Sequence, residues 1–410
     1  MPILPDAALS LRLPEMLSVK QVFSCEELQE TEACIIRQLN ASWIKALIKP
    51  GNKVAVAVGS RGISNLGLIV RTLGQIIKAH GAFPFIVPAM GSHGGATGEG
   101  QKVVLENIGI TEAFVNMPII SSMEVVEIGK TVGDIPVFMD INAFQADVVI
   151  PVARIKPHTD FKGPIESGIC KMLSIGLGKH VGCSRLHQEG FENFAELIPE
   201  VAKVCLQKAN IGFGVAIIEN AYDKTSNIEI VPGAAIFEEE PRLLAVAKNM
   251  MPRIMLPEID VLIVESLGKE ISGAGMDPNI VGRTTKGKLP GFQGPDIKRI
   301  IVSDLTEATH GNACGIGLAD FITAKAFKKI DYMSTYANVI ASANPEAGKI
   351  PVVLQDEREA IIAAIKCCSR IDENRPRIVR ITDTLHLEYI QVSINLLPIV
   401  RQNKNMRILG

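Results

Sequence analysis

Between Ile155 and His187 the chain reads IKPHTDFKGPIESGICKMLSIGLGKHVGCSRLH. His158, His180 and His187 fall in this run, with Lys156, Lys162, Lys171 and Lys179, the acids Asp160 and Glu166, the thiols Cys170 and Cys183, and interspersed glycines. Imidazole takes and returns a proton near neutrality because its unperturbed pKa is about 6.5. A lysine amine can hold a group covalently. Glycine lets the backbone approach a ligand closely and adopt positive φ. Together these types point to a bound cofactor or a covalent intermediate. They also suit a solvated loop followed by a helix with ordinary surface charges, and residue types alone leave both readings open.

The elements that must position this run come before it. Residues 53–58 (KVAVAV) form a near-continuous apolar run, as expected of a strand buried on both faces of a parallel sheet. Gly59-Ser60-Arg61-Gly62 follows, then a helix with Leu66, Ile69, Val70, Leu73, Ile76 and Ile77 inward and Gly81 as its stop. Residues 83–88 (FPFIVP) give a second strand, leading into Gly91-Ser92-His93-Gly94-Gly95-Ala96-Thr97. Thr97 is placed to cap a helix through Asn107. Residues 147–152 (DVVIPV) give a third strand, which delivers the chain into 155–187. In open parallel sheets, ligands bind beyond the carboxyl ends of the strands. Arg61, His93 and the 155–187 stretch are thereby expected on one rim. Neither glycine-rich loop has the dinucleotide G-x-G-x-x-G spacing, and there is no Walker phosphate loop.

With 410 residues, the chain is expected to form two domains, 1–252 and 257–386, with a boundary near 249–257 and a tail, 387–410, returning to the first. Residues 26–49 read as a helix, 191–208 as a helix and 212–219 as a strand. In the second half, 260–265, 299–305 and 377–382 read as strands, and 317–325 and 357–367 as helices. The fold class expected is α/β, two domains with mostly parallel sheets and the active-site cleft between them.

The net charge is −2 and aromatic residues are 5% of the chain. That gives no electrostatic case for nucleic acid or an anionic membrane, and few platforms for stacking bases. The eight cysteines lack any Cys-x-x-Cys pair. Their scatter suggests reduced thiols, not a disulfide framework, a structural zinc site or an iron–sulfur cluster. No signal-peptide pattern opens the chain and no apolar run reaches membrane-span length, so a cytoplasmic protein is expected.

GSRGIS at 59–64, GSHGGAT at 91–97, PHTDFKG at 157–163, SGICKMLSIGLGKH at 167–180, His187, and SGAGMDPNIVGR at 272–283, in this order, resemble the nickel-dependent lactate racemases and their wider set of homologues. The resemblance implies a racemase or epimerase of 2-hydroxy acids that uses a nickel-pincer nucleotide, a pyridinium-3-thioamide-5-thiocarboxylic acid mononucleotide binding Ni, made by cofactor-synthesis proteins. Carried over by motif, His93 and His158 match the two acid/base histidines. Lys171 matches the lysine that bears the cofactor, with Lys162 as rival. His187 matches the nickel ligand, with His180 as alternative. Arg61 matches an arginine near the acid/base histidine and is expected to bind cofactor and substrate, and Lys269 matches a lysine that meets the substrate carboxylate. Backbone amides of the glycine-rich loops, at Ser60 and Gly94, would contact the cofactor. Val58 stands where the family often has an acid, and the stretch between His158 and Lys171 is longer than in lactate racemases. Both departures point away from lactate, toward a larger hydroxy acid such as a sugar acid. The competing readings are a lyase or dehydrogenase on the same scaffold, or a non-catalytic nucleotide- or metabolite-binding homologue.

Overall fold

A computed structural model describes residues 2–409, apart from 286, 288–290 and 293. In chain order the strands are β1 Met16–Gln21, β2 Lys53–Val58, β3 Phe83–Pro88, β4 Val125–Lys130, β5 Pro136–Asp140, β6 Val148–Arg154, β7 Phe213–Glu219, β8 Thr225–Pro232, β9 Glu258–Leu267, β10 Asp296–Leu305, β11 Phe321–Thr323, β12 Val352–Leu354, β13 Ile378–Ile381, β14 Tyr389–Ser393 and β15 Met406–Ile408. They divide between two compact units, Ser24–Met251 and Met1–Phe23 with Pro252–Gly410.

The sheet of the unit Ser24–Met251 has the order β3-β2-β6-β7-β8. Its first four strands are parallel, and β8 runs antiparallel to β7. β2 and β3 each carry five consecutive buried residues and β6 carries six, as a sheet covered on both faces requires. Alternation along β2 divides the strand between two cores. Val54, Val56 and Val58 pack with Leu66, Ile69 and Leu73 of the helix Leu66–Ala79. Ala55 and Ala57 face the other core, with Leu173, Leu186 and Leu197. Ala153 and Ala216 lie in that same core, so the 155–187 segment packs against a sheet face rich in small side chains. β4 and β5 form a separate antiparallel hairpin.

The other unit holds an eight-stranded sheet, β12-β11-β10-β9-β13-β14-β1-β15. Pairing is parallel from β12 to β13 and antiparallel from β13 to β15. Both units are thus α/β with largely parallel sheets, as the apolar runs predict.

The division of the chain differs from the sequence expectation. Residues 1–23, expected in the first domain, belong to the second unit, where β1 lies between β14 and β15. The tail does return to the N-terminus, but to β1 in that sheet. Gln21 explains the attachment. Its fully buried amide donates to the Leu387 carbonyl at 2.7 Å and the Arg253 carbonyl at 3.1 Å, and accepts from the Met255 amide at 2.7 Å. Leaving those groups unmet would cost roughly 1–3 kcal/mol each. The predicted 26–49 helix is two, Thr31–Leu39 and Ser42–Leu47. The predicted 317–325 helix is corrected as well. Phe321–Thr323 pairs as β11, and Thr323 then caps the helix Ala324–Lys328 through the Ala326 amide. No helix among the described residues is long and apolar enough to cross a membrane.

Candidate functional site

The loops leaving β2, β3 and β6 emerge at the carboxyl edge of adjacent parallel strands. Glu219, at the end of β7, ties two of them together. Its Oε1 accepts the Ser64 amide at 2.6 Å, and its Oε2 pairs with Arg154. Arg61 is exposed in the first loop and close enough to Arg154 for the two guanidinium groups to repel. Ser60 is half-buried beside it. A side chain at Gly59 would bring its Cβ within 3.2 Å of Met172 Cε, so this loop lies against the segment that carries Lys171.

The chain after β6 closes on itself. Lys156 and Ser167 exchange backbone hydrogen bonds of 3.0 and 3.2 Å, making residues 157–166 a lobe with joined ends. The hub of the lobe is Glu166, which has no solvent exposure. Its Oε2 accepts the His158 amide at 2.7 Å and Lys162 Nζ at 3.1 Å, and its Oε1 meets Lys248 Nζ at 2.7 Å. Lys162 also donates to the His158 carbonyl at 2.5 Å. This ammonium is therefore engaged in holding the lobe, which weakens it as a rival to Lys171.

His158 is 8% exposed. Burial first, then the positive charges of Lys171, Lys156, Lys162 and His187, hold it well below its ordinary pKa, so the ring is neutral. Its Nδ1 accepts the Asp160 amide at 3.0 Å, with the Asp160 carboxylate 3.6 Å away. The amide favours the tautomer with the proton on Nε2. The carboxylate stands ready for the opposite tautomer, in which Nε2 is the free base. One residue thus offers Nδ1 a partner for either state.

Lys171 ends a short helical turn, Ile169–Lys171, and a π-helical turn, Met172–Gly176, follows directly. The Leu177 amide reaches the Met172 carbonyl at 2.9 Å. Such turns occur frequently at functional sites. Burial pulls the Lys171 ammonium down to about 8; Asp160 and Cys183 oppose the shift and Arg61 adds to it. An amine in this state is partly unprotonated at neutral pH. Glu240, 1% exposed, accepts the Cys170 amide at 2.9 Å and so anchors the start of the turn, and burial lifts its carboxyl to about 7.

His187 closes the helix Lys179–His187. Its Nδ1 lies 2.7 Å from the Cys183 carbonyl and 3.4 Å from Cys183 Sγ. Donation from Nδ1 to the carbonyl leaves Nε2 as the nitrogen with a lone pair, the tautomer of a metal-ligating imidazole. Burial opposes charge on His187, but Cys183 outweighs it and raises the pKa; the reciprocal contact, with Ser92, lowers that of the Cys183 thiol against the effect of burial. Phe191 links the two buried-side histidines, its ring centre lying 6.2 Å from that of His158 and 5.2 Å from that of His187.

His158, Lys171 and His187 are therefore brought within electrostatic reach of one another, and Arg61 within reach of Lys171. His93 lies on the neighbouring loop with its ring exposed. Gly94, at φ +67°, packs that loop so closely on the next helix that a Cβ there would sit 2.4 Å from the Gly100 carbonyl carbon. The loop reaches the Lys171 segment through the Gly91 amide, which donates to the Gly176 carbonyl at 3.1 Å. His180 is exposed, with Ser184 Oγ 3.4 Å from its Nδ1. Lys269 belongs to the other unit, where its Nζ donates to the Gly273 carbonyl at 2.6 Å and Asn338 Oδ1 at 3.0 Å. Sequence reasoning assigned no role to Asp160, Cys183, Glu240 or the phenylalanines. Glu240 could not be told from Glu238 and Glu239 beside it, since burial alone distinguishes them.

Residues 7–195 match the family described as the lactate racemase N-terminal domain. That span includes every candidate above except Lys269. No curated protein matches the sequence. Among solved structures, the chain is similar to the lactate racemase apoprotein from Thermoanaerobacterium thermosaccharolyticum, at 14% identity and a TM-score of 0.53, over 91% of this chain and 99% of that one. It is also similar to a protein from Thermotoga maritima, at 12% identity and a TM-score of 0.52, over 88% of this chain and 98% of that one. At such identities the likeness is one of fold. Residues 7–195 thus match the lactate racemase N-terminal domain, and the backbone as a whole is similar in fold to the lactate racemase apoprotein.

Proposed function

We propose that the protein is a racemase or epimerase that inverts C2 of a 2-hydroxy acid, using a nickel-pincer nucleotide held by Lys171 and His187. The observation that carries this reading is the pairing of a lysine drawn down to about 8 with an imidazole whose Nδ1 is engaged by the Cys183 carbonyl, both beside a neutral buried histidine. The chemistry fits the group. A neutral amine is the form that bonds to an acyl or thioacyl carbon, and imidazole is a suitable nickel ligand. Among the described residues, no three His, Cys, Asp or Glu side chains gather as a metal site. His187 would supply one ligand and the sulfur-bearing nucleotide the others.

When bound, the group supplies an acceptor and donor of hydride at C2, which avoids a carbanion beside a carboxylate. The protein's part is proton handling and orientation. His158 takes the hydroxyl proton for one enantiomer and His93 for the other. His158 acts through Nε2 as the tautomer that carries its proton on Nδ1; after uptake both ring nitrogens are protonated, and the Asp160 carboxylate, 3.6 Å from Nδ1, stabilises the imidazolium. Arg61, with its forked donors, grips a carboxylate. Amides at Ser60 and Gly94 meet the phosphate. The ten residues of the 157–166 lobe include Thr159 and Asp160, polar groups that suit a sugar acid better than lactate.

Intact-mass measurement after co-expression with cofactor-synthesis proteins tests the assignment. The expected result is a covalent adduct on Lys171, absent from Lys171→Ala, with bound nickel. An adduct mapped to Lys162 overturns the tether assignment, and neither adduct nor nickel overturns the cofactor. Turnover of a panel of short hydroxy acids and aldonic acids in heavy water should invert C2 with little solvent deuterium retained there. Extensive incorporation would favour proton abstraction from carbon.

A further inference from the structure

Lys179 is one residue before His180, has no solvent exposure, and holds a left-handed backbone conformation, φ +53°, rare for a residue with a side chain. Its ammonium donates to the Pro88 carbonyl at 2.5 Å and Gln101 Oε1 at 3.0 Å, and pairs with Asp140 Oδ2 at 3.3 Å. Those partners come from the end of β3, the helix Gly98–Asn107 and the end of β5. Gln101 is equally buried, and its Nε2 passes the link on to the Gly91 carbonyl at 2.8 Å and the His93 carbonyl at 3.3 Å. Two backbone bonds close the frame. The Gly91 amide donates to the Gly176 carbonyl at 3.1 Å and the Asp140 amide to the Leu177 carbonyl at 2.7 Å.

A buried ion pair is weak evidence for stability, since apolar residues often serve as well. The cost of burying this one, together with a strained backbone, calls for another reason. We infer that Lys179 and Gln101 are positioning residues that fix the loop of His93 in register with the segment bearing Lys171 and His187. The frame takes hold of the His93 loop by its carbonyls at residues 91 and 93, and of the Lys171 segment by its carbonyls at residues 176 and 177. A lysine fits because its three donors can reach three directions at once. This role rests on the reading of His93, Lys171 and His187 proposed above.

Gln101→Glu is the sharpest test. The carboxylate keeps the packing and a stronger partner for Lys179, but it has no donor for the carbonyls of Gly91 and His93. Amide hydrogen exchange on the protein without cofactor reads the loop directly through the amides of Gly91, His93 and Ala96. Their exchange should accelerate by about fivefold to tenfold more than that of β2 and β6, the protection that one or two hydrogen bonds confer. Unchanged loop exchange overturns the inference, and so does acceleration spread evenly over the unit. Lys179→Met with Asp140→Asn removes the ion pair and keeps the Asp140 cap on the Ala143 amide. Its loop should loosen likewise. In cofactor-loaded protein, Gln101→Glu should lower kcat with nickel content unchanged, and a loosened loop with unaltered kcat would count against positioning. The exchange measurement needs neither cofactor nor substrate, so its outcome stands apart from the proposed activity.

Discussion

Lys171 should be the most reactive accessible lysine of the unit Ser24–Met251. At an ordinary pKa of 10.5, about 0.03% of a lysine is unprotonated at pH 7; at about 8 the share is about 9%, some 300-fold more. A less basic amine is also a poorer nucleophile. With a Brønsted slope of about 0.4, borrowed from thiols, the advantage falls to roughly thirtyfold. Competitive labelling with an acylating reagent across pH 6–11, followed by peptide mass spectrometry, measures both the apparent pKa and the rate. The cause can be tested with the pKa itself. Burial contributes most, so no single charge change restores 10.5. Asp160 raises the value and Arg61 lowers it, so Asp160→Asn should move the midpoint down and Arg61→Gln should move it up. Lys162, engaged with Glu166 and the His158 carbonyl, should label slowly, and Lys179 only on unfolding. A Lys171 midpoint near 10.5, or a shift in the same direction for both variants, would refute the reasoning.

Three further outcomes follow from the same region. Burial lifts the folded-state pKa of Glu240 from 4.5 to about 7, so its stabilising contribution is complete below about pH 4.5 and is lost as pH rises through 7. Glu240→Gln should therefore gain on the parent protein by roughly 3 kcal/mol between pH 4.5 and 8, read from urea unfolding, and a constant difference would rule the linkage out. Gly176→Ala would put a Cβ 2.6 Å from the Ala89 carbonyl oxygen, whereas Gly62 has open space; the first should cost about 1–3 kcal/mol and the second almost nothing, and equal losses would disprove close contact at the π turn. His187→Ala should keep the covalent adduct but lose nickel, while His180→Ala keeps both; nickel lost from His180→Ala instead would reverse the ligand assignment.

What the sequence made legible follows from how each feature is encoded. β2 and β3 were readable to the residue because strands buried on both faces need unbroken apolar runs. Arg61, His93 and the 155–187 stretch were placed on one rim because parallel strands deliver their carboxyl ends to one edge. β1 and β15 were not, since short half-buried strands such as MLSVKQ and MRI alternate weakly and their partners lie hundreds of residues away. The 317–325 error has a similar source, because a three-residue strand is too short to show a period of two.

The positioning groups were hidden for a different reason. A charged side chain has the same letter whether it is solvated or buried, and its meaning depends on acceptors supplied by distant segments. Lys179 and Lys203 look alike in the sequence, yet Lys203 is exposed while Lys179 meets acceptors from positions 88, 101 and 140. Gln101 and Glu166 are of the same kind, polar residues with no exposure whose partners belong to other loops. Catalytic candidates stand out by type and by glycine-rich surroundings, since chemistry restricts which side chain can serve. A positioning role is restricted by geometry instead, so several residue types could meet it and none announces it. In a chain only 12–14% identical to proteins of the same fold, this frame is where divergence can retune the distance between the His93 loop and the Lys171 segment without changing the side chains they carry.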